Sequence, residues 1–218
     1  MTGRIPPDRW RLYVVTDEEL SRGRSHIQVA EAAIRGGADV IQLRDKTASG
    51  SRLYQVALVL RKLTSEARIS FIVNDRLDIA LAADADGVHV GQKDLPASAA
   101  RKILGPGRIL GVSAETVEES VQAERDGADY LGVGPVFEAR GTKPDAGDPA
   151  GLELITRIRT HCRLPIVAIG GIHAGNARDV RRAGAEAAAV ISAIVAADDI
   201  EQAARRLKTA LCAAGEDG

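Results

Sequence analysis

Aromatic residues, cysteine and an excess of charge of either sign are all scarce in this chain. Phe, Trp and Tyr make up 3% of its 218 residues, and the two cysteines, Cys162 and Cys212, are too few for a disulfide framework or a four-thiolate zinc site. Lys and Arg number 29 against 30 Asp and Glu, so we expect neither nucleic acid nor an anionic membrane surface as a partner. No apolar run approaches the roughly 18 residues of a spanning helix, and the start MTGRIPPDRWR lacks the apolar stretch of a signal peptide. These absences predict a cytoplasmic protein.

Glycine is abundant, with 22 residues, and short aliphatic runs recur along the whole chain. They are LYVVT at 12–16, VIQL at 40–43, SFIVN at 70–74, GVHV at 87–90, RILGV at 108–112, YLGVG at 130–134, PIVAIG at 165–170 and AAAVIS at 187–192. Segments between them, such as 27–34, 54–63 and 117–127, carry apolar residues three and four apart, as helices do. Eight buried strands alternating with helices predict an α/β fold, a single (βα)8 TIM barrel. A doubly wound open sheet is the alternative, but its G-x-G-x-x-G fingerprint is absent after the first run.

A short motif with glycine precedes four of the eight runs. It reads GGADV at 36–40, DADGV at 84–88, DGADY at 126–130 and AGAEA at 183–187. The pattern is typical of a helix that ends with a left-handed glycine and turns directly into a buried strand, so we assign it to helix-to-strand turns and not to chemistry. Because no linker interrupts the pattern, we expect one domain over 1–218, with an N-terminal extension at 1–10 and a flexible tail at 212–218.

In a barrel of this kind, function lies where the strands end. The second run continues so that Gln42, Arg44 and Lys46 point to one side while Leu43 points to the other. Arg and Lys at such a strand end can hold a di-anion or a pyrophosphate, Arg through its planar fork and Lys as a point charge. The alternative is a solvated strand end with ordinary surface charges.

Carboxylates follow the next two strands. Asn74 ends the third run and Asp75 follows it, and Asp94 lies in the loop after the fourth. Since neighbouring strands lie about 4.8 Å apart, Asp75 and Asp94 can converge on one hard cation, and two carboxylates with phosphate oxygens are a common way to hold Mg²⁺. Each also has an ordinary alternative, which is to cap the helix that follows it.

The remaining loops offer further anion-binding groups. Ser113 directly follows the fifth run, with helix capping as its alternative. Thr142 and Lys143 lie in a long Gly- and Pro-rich loop after the sixth run, where a mobile surface lysine is the alternative. The loops after the seventh and eighth strands, which often bind phosphate in this fold, contain Gly170, Gly171, Ile191 and Ser192. His89 is interpreted as a residue of the barrel interior, and no histidine has an identifiable Ser or Cys nucleophile beside it.

Two separate anion pockets at one end of the barrel would suit two phosphorylated substrates, one of them a diphosphate that needs Mg²⁺. Since a Mg²⁺-bound diphosphate is a good leaving group, the predicted reaction transfers a group from pyrophosphate to a nucleophile on the second substrate.

Several motifs, in order, resemble the thiamine phosphate synthase family. They are YVVTD at 13–17, QLRDK at 42–46, VNDRLDIALAADADGVHVGQKDLP at 73–96, GVS at 111–113, DYLGVGPVF at 129–137, TK at 142–143, AIGGI at 168–172 and VIS at 190–192. The resemblance implies a TIM barrel that joins 4-amino-2-methyl-5-hydroxymethylpyrimidine diphosphate to 4-methyl-5-(2-phosphoethyl)thiazole. It also implies a dissociative mechanism, in which diphosphate leaves a pyrimidinylmethyl cation that the thiazole nitrogen captures.

The resemblance also implies roles for individual residues. The pyrimidine diphosphate would bind to Gln42, Leu43, Arg44, Asp45, Lys46, Asn74, Ser113 and Lys143, the Mg²⁺ to Asp75 and Asp94, and the thiazole phosphate to Thr142, Gly171, Ile191 and Ser192. Of these, Arg44, Lys46, Ser113 and Lys143 are the candidate catalytic residues. The family commonly reads Thr-x-Thr-Lys after the Phe of the sixth loop, whereas Phe137 is followed here by Glu-Ala-Arg-Gly-Thr-Lys, which is one residue longer.

Two other functions are compatible with the sequence. A related thiazole tautomerase has the same barrel but uses a His acid/base after the fifth strand, where this chain reads Ser113-Ala114-Glu115. A non-catalytic barrel that senses a phosphorylated metabolite would leave the paired carboxylates without a purpose. The sequence leaves a homo-oligomer open.

Overall fold

The structure is a computed structural model that describes residues 5–138 and 148–213. Eight strands alternate with helices in it. The strands are β1 (Leu12–Thr16), β2 (Val40–Leu43), β3 (Ser70–Asn74), β4 (Gly87–Val90), β5 (Ile109–Ala114), β6 (Tyr130–Val133), β7 (Ile166–Ile169) and β8 (Ala187–Val190). The helices are α1 (His26–Arg35), α2 (Gly50–Ala67), α3 (Leu77–Ala82), α4 (Ala97–Leu104), α5 (Val117–Arg125), α6 (Gly151–Arg159), α7 (Ala177–Arg182), α8 (Ser192–Val195) and α9 (Ile200–Ala213).

The eight strands close into a parallel barrel. Each pairs with the next along the chain, and β8 pairs with β1 through Leu12 opposite Ala188 and Val14 opposite Val190. The TIM-barrel prediction is therefore confirmed, and closure excludes the open doubly wound sheet. None of the helices in the two described stretches is long and apolar enough to cross a membrane.

Local sequence explains where several helices begin. Ser25 caps α1 and forms a capping box with Gln28, while Ser49 caps α2 and Thr116 caps α5. Each of these hydroxyl groups accepts a hydrogen bond from a backbone N–H that the helix itself leaves without a partner. The buried faces of the helices pack aliphatic side chains onto the outside of the barrel.

Residues 5–10 pack against the barrel instead of extending from it. Trp10 is fully buried and donates from its indole N–H to the Ile5 carbonyl at 2.9 Å. Its ring makes edge contacts with Tyr13 and Tyr130 inside the barrel. At the other end of the chain, α9 extends to Ala213, so residues 212 and 213 of the expected flexible tail are helical. Residues 214–218 of that expected tail lie outside the described part of the chain.

The four turn motifs do turn from helix to strand, although not all through glycine. Gly37, Gly127 and Gly184 have left-handed φ values of 94°, 85° and 108°, as predicted. In DADGV the left-handed residue is Asp84, with φ of 51°. Gly87 lies inside β4 instead, where a Cβ atom would come within 2.1 Å of the Ile109 carbonyl oxygen.

The acidic residue of each motif has a second role, which was not predicted. Each acid directly precedes an even-numbered strand; the four are Asp39, Asp86, Asp129 and Glu186. One carboxylate oxygen of each accepts a hydrogen bond from a backbone N–H of the preceding strand. The donors, in the same order, are Leu12, Phe71, Leu110 and Ile166, at 2.8, 2.8, 2.7 and 2.7 Å. These donors are residues of β1, β3, β5 and β7. The same carboxylates form ion pairs with Lys208, Arg61, Arg101 and Arg159 on the helices α9, α2, α4 and α6. We call these four groups the strand clamps. They repeat once per quarter of the barrel, at the end where the strands begin.

Candidate active site

A cavity of about 610 Å³ opens at the carboxyl ends of the strands. That volume is in the range typical of small-molecule sites. Ten of the residues predicted for the site line it: Gln42, Arg44, Lys46, Asn74, Asp75, Asp94, Ser113, Gly171, Ile191 and Ser192. Thr142 and Lys143 lie outside the described residues. Leu43 and Asp45 are not among the described lining residues.

Leu43 and Asp45 are excluded from the lining because side chains alternate along β2. Leu43 is 1% exposed and packs in the hydrophobic core on the outer side of the strand. The Asp45 carboxylate accepts from the backbone N–H groups of Thr47 and Ala48 at 2.9 and 2.8 Å. Burial would raise the pKa of Asp45, but these hydrogen bonds lower it to about 2. Asp45 thus stabilises the loop that carries Lys46, and its side chain faces away from the cavity.

Asp45 also belongs to a group of three possible metal ligands outside the cavity. The nearest ligand atoms of Glu18, His26 and Asp45 lie within 4.8 Å of one another. All three side chains already have protein partners. His26 Nδ1 lies 2.8 Å from the Thr16 hydroxyl, and Glu18 accepts from Arg52. These contacts join β1, α1 and the end of β2, so we interpret the group as structural.

Asp75 and Asp94 both line the cavity, and the charge of Asp94 acts directly on Asp75. Burial and the adjacent Asp94 carboxylate raise the pKa of Asp75 to about 6, while the positive charges of Lys46 and Arg44 lower it. Four charged side chains from the ends of β2, β3 and β4 therefore interact in one part of the cavity; they are Arg44, Lys46, Asp75 and Asp94.

Neither carboxylate caps a helix. Arg76 and Pro96 hold the N-cap positions of α3 and α4, so both aspartates lie outside the caps. Asp94 accepts from the backbone N–H of Gly91 at 2.8 Å within its own loop. Asp75 has a left-handed φ of 59°, a conformation that costs energy for a residue with a Cβ atom and that is often retained at functional sites.

The acidic pair fits a divalent cation. Burial and the adjacent Asp94 carboxylate together raise the pKa of Asp75. The two carboxylates supply hard oxygen ligands whose mutual repulsion a bound cation would relieve. The residues present therefore fit the predicted magnesium ion.

Arg44 is not a solvated strand end. Its Nη1 atom donates to Asp17 Oδ2 at 2.9 Å, and the two side chains are only 13% and 10% exposed. The carboxylate of Asp17 holds the guanidinium in place beside the aspartate pair. Asp17 was not predicted, because its partner is 27 residues away and only the fold brings the ends of β1 and β2 together.

The loop after β7 is built around two glycines. Gly170 and Gly171 have φ values of 103° and 62°. A Cβ atom on Gly170 would lie 2.7 Å from the Pro135 backbone, and one on Gly171 would lie 2.7 Å from the Glu138 carbonyl oxygen. Glycine is therefore required at both positions. After the neighbouring strand β8, Ile191 precedes the short helix α8, which Ser192 begins. Exposed backbone N–H groups at such loops are suited to binding phosphate.

Sequence reasoning missed much of the cavity floor, where the barrel interior is polar. Tyr13 and Tyr130, which were not predicted, line the floor with Gln42, Ser113 and His89, and hydrogen bonds link the five side chains. His89 was expected in the barrel interior. The alternation of β1 and β6 could have indicated the two tyrosines, because it turns each of them toward the barrel axis. Ser113 belongs to this floor and does not cap α5, since Thr116 does.

Comparisons with known proteins agree with this geometry. A family model described as "Thiamine monophosphate synthase" matches residues 12–194. The thiamine-phosphate synthase of Chloroflexus aurantiacus is 60% identical over 199 residues, 91% of either chain, and that of Methanocella arvoryzae is 54% identical over 200 residues, 92% of this chain and 94% of the other. The solved structure of a thiamine phosphate pyrophosphorylase from Pyrococcus furiosus superimposes with a TM-score of 0.88 at 39% identity, covering 95% of this chain and 98% of that one. The chain therefore belongs to the thiamine monophosphate synthase family, whose members are transferases of thiamine biosynthesis.

Proposed function

We propose that this enzyme couples 4-amino-2-methyl-5-hydroxymethylpyrimidine diphosphate to 4-methyl-5-(2-phosphoethyl)thiazole, giving thiamine phosphate and pyrophosphate. The observation that carries the proposal is the meeting of Asp75 and Asp94 with Arg44 and Lys46 in one cavity. Two carboxylates and two cationic side chains at one place suit a metal-bound diphosphate, because the carboxylates can hold the metal and the cations can hold the diphosphate. A free phosphate or a bare cation would use only one of the two pairs.

Asp75 and Asp94 are the proposed ligands of Mg²⁺, which when bound neutralises the diphosphate and makes it a better leaving group. Arg44 and Lys46 bind the diphosphate oxygens and stabilise the negative charge that grows on them as the C–O bond breaks. Asn74 and Ser113, together with Gln42, contact the same substrate. Lys143 is proposed as a further cation for the diphosphate, from the loop outside the described residues.

No enzyme nucleophile takes part in the proposed reaction. The diphosphate departs first, and the resulting pyrimidinylmethyl cation is captured by the thiazole nitrogen. The barrel contributes by holding the two substrates in contact and by keeping the departing charge paired. Gly171, Ile191 and Ser192, with Thr142, are proposed to hold the thiazole phosphate, which places the second substrate over the first.

Two features of the wider setting are also proposed. The two unpaired cysteines favour a reducing compartment, so we place the reaction in the cytoplasm. The partners are then two small phosphorylated molecules, with no nucleic acid or membrane involved.

The test is to incubate the purified protein with both substrates and Mg²⁺ and to measure thiamine phosphate and pyrophosphate in equal amounts. Chelation of the metal, or either Asp75→Asn or Asp94→Asn, is expected to abolish the product. Isomerisation of a thiazole carboxylate phosphate without the pyrimidine substrate would instead indicate a tautomerase. Substrate binding without any turnover would indicate a sensor, and either result would refute the proposal.

A further inference from the structure

Five side chains from five strands form one chain of hydrogen bonds across the cavity floor. Gln42 Nε2 donates to the Tyr13 hydroxyl at 2.7 Å, and the hydroxyls of Tyr13 and Tyr130 lie 2.9 Å apart. The Tyr130 hydroxyl lies 3.0 Å from His89 Nδ1, and His89 Nε2 lies 3.0 Å from Ser113 Oγ. We call Gln42, Tyr13, Tyr130, His89 and Ser113 the floor network.

Close backbone contacts fix the geometry of this network. A Cβ atom on Gly111 would lie 2.3 Å from the Tyr130 hydroxyl oxygen and 2.5 Å from His89 Nδ1, and one on Gly132 would lie 2.8 Å from His89 Cε1. The imidazole thus lies directly against two glycines of β5 and β6. Such a ring has little room to rotate or flip, so each of its nitrogens keeps its own partner.

Counting protons gives the network a direction. The Tyr13 oxygen accepts a hydrogen bond from Gln42, so its own hydroxyl hydrogen can be donated to Tyr130, whose hydroxyl hydrogen can then be donated to His89 Nδ1. A neutral imidazole that accepts at Nδ1 carries its hydrogen on Nε2, and that hydrogen is donated to Ser113. If Tyr130 donated to Tyr13 instead, the hydroxyl hydrogen of Tyr13 would have no acceptor. Leaving a buried donor without an acceptor is costly.

The environment keeps both phenols protonated, as this direction requires. Burial, the largest effect, raises the pKa of Tyr13 and of Tyr130 well above the ordinary value for tyrosine. Both rings are also held by edge contacts with Trp10 below them. Each phenol therefore has one proton to donate at any pH at which the enzyme would be assayed.

We propose that Tyr13 and Tyr130 are positioning residues that fix His89 as its Nε2–H tautomer and so oblige the Ser113 hydroxyl to donate its proton to the substrate. The inference deepens the proposed function, because it assigns the polarity of one contact in the same cavity. Because Ser113 accepts from His89, its hydroxyl hydrogen is left to donate, and we expect it to meet a hydrogen-bond acceptor atom of the substrate. Neither tyrosine has to touch the substrate for this effect, since each acts through its neighbour.

The direction of hydrogen-bond donation along the floor network can be tested by reversing it at Gln42, the end farthest from Ser113. Gln42→Glu replaces the donor with a carboxylate, which accepts from Tyr13, so that every later bond reverses and His89 must carry its hydrogen on Nδ1. ¹⁵N NMR of labelled histidine side chains, at alkaline pH where the ¹³C resonance of the new carboxyl shows it ionised, is expected to show this change. Gln42→Met, which neither donates nor accepts strongly, should leave the Nε2–H tautomer in place.

A double variant separates the network from the mere presence of a charge. In Tyr13→Phe with Gln42→Glu the network is cut, so His89 should return to its Nε2–H tautomer. Protonation of Nδ1 that persists in the double variant would mean that the carboxylate acts through space, and an unchanged tautomer in Gln42→Glu would mean that no directed network exists. Either result overturns the inference, and neither depends on the identity of the substrates.

Activity supplies an independent readout, available even if Gln42→Glu does not fold. Tyr130→Phe is expected to lower kcat/KM for the pyrimidine diphosphate about tenfold, as loss of one oriented hydrogen bond does. In a Ser113→Ala background the same substitution should have almost no further effect on kcat/KM, because the hydroxyl it orients is already absent. If the loss of kcat/KM in the double variant equals the product of the two single losses, Tyr130 acts by a route other than Ser113.

Discussion

The backbone at Asp75 determines which substitutions can report on its carboxylate. Its left-handed φ of 59° is a conformation that Asn tolerates and that costs most other residues about 1 kcal/mol or more. Asp75→Ala would therefore remove the carboxylate and also strain the turn between β3 and α3. Asp75→Asn removes the negative charge alone, so it is the cleaner variant.

Asp75→Asn is expected to stabilise the metal-free protein at neutral pH. The folded state raises the pKa of Asp75 to about 6, so its stabilising contribution is complete below the ordinary aspartate pKa and is lost as pH rises through 6. A shift of about two units corresponds to about 3 kcal/mol, which solvent screening of this half-buried group reduces to about 1 kcal/mol. The variant should unfold about 3 °C higher than wild type at pH 7, and the difference should vanish near pH 4.

Asp45→Asn is the matched control, because hydrogen bonding lowers the pKa of Asp45 instead. Its carboxylate stabilises the fold at pH 7, and that stabilisation is lost as pH falls toward 2, so the Asn variant should melt below wild type at neutral pH. Thermal unfolding of all three proteins across this pH range measures both effects. Equal melting temperatures for wild type and Asp75→Asn at pH 7 would contradict the raised pKa that burial and the adjacent Asp94 give Asp75.

Arg44→Ala is expected to lower kcat/KM for the pyrimidine diphosphate by about 10- to 100-fold, the usual loss when a charged hydrogen bond to substrate is removed. The substitution also leaves the buried Asp17 carboxylate without its cation, so stability must be measured alongside. Arg52→Ala removes an arginine that is 58% exposed and pairs with Glu18, and it should leave kcat/KM unchanged. An equal effect of the two variants would show that Arg44 contributes only general positive charge.

The strands could be predicted almost to the residue, because an aliphatic run between two turn motifs has few other interpretations in a chain so poor in aromatics. The strand clamps could not be predicted from the sequence. Each joins a carboxylate before an even-numbered strand to a cation on a distant helix, as Asp129 does with Arg101, 28 residues earlier. The motif marks the turn in the sequence, but only closure of the barrel gives its acid a partner.

Asp86→Ala should lower the free energy of unfolding by about 3 kcal/mol, since it leaves Arg61 and the Phe71 N–H without their shared carboxylate in a buried site. Urea denaturation measures the loss. Asp198→Ala breaks an exposed pair with Arg22 and should cost less than about 0.5 kcal/mol. Because the clamp lies at the end of the barrel where the strands begin, KM for both substrates should not change. Similar losses in the two variants would mean that the clamp is no stronger than a surface ion pair.

In the whole molecule, the two ends of the barrel have different tasks. The end where the strands begin contains the clamps and Trp10, and the end where they finish contains the cavity. The sequence predicted the residues of the cavity that follow strands, such as Asp75 and Asp94, because a polar residue after a buried run stands out. It did not predict Tyr13 or Tyr130, because a tyrosine within an apolar strand looks like core until the fold places its hydroxyl beside another.

Because the acidic pair and the basic pair share one point, metal and anion should bind cooperatively. Mg²⁺ with pyrophosphate at about 100 times the dissociation constant should stabilise the protein by about 3 kcal/mol, which raises its melting temperature by about 8 °C, whereas either ligand alone should give a much smaller shift. Asp94→Asn should lose the combined shift through the metal, and Lys46→Ala should lose it through the anion. Asp198→Ala, at an exposed residue that does not line the cavity, should retain it in full. Thermal unfolding with each ligand and with both provides the measurement. If the two separate shifts simply add to the combined one, metal and pyrophosphate bind at independent places, and the shared site proposed for Asp75, Asp94, Arg44 and Lys46 is wrong.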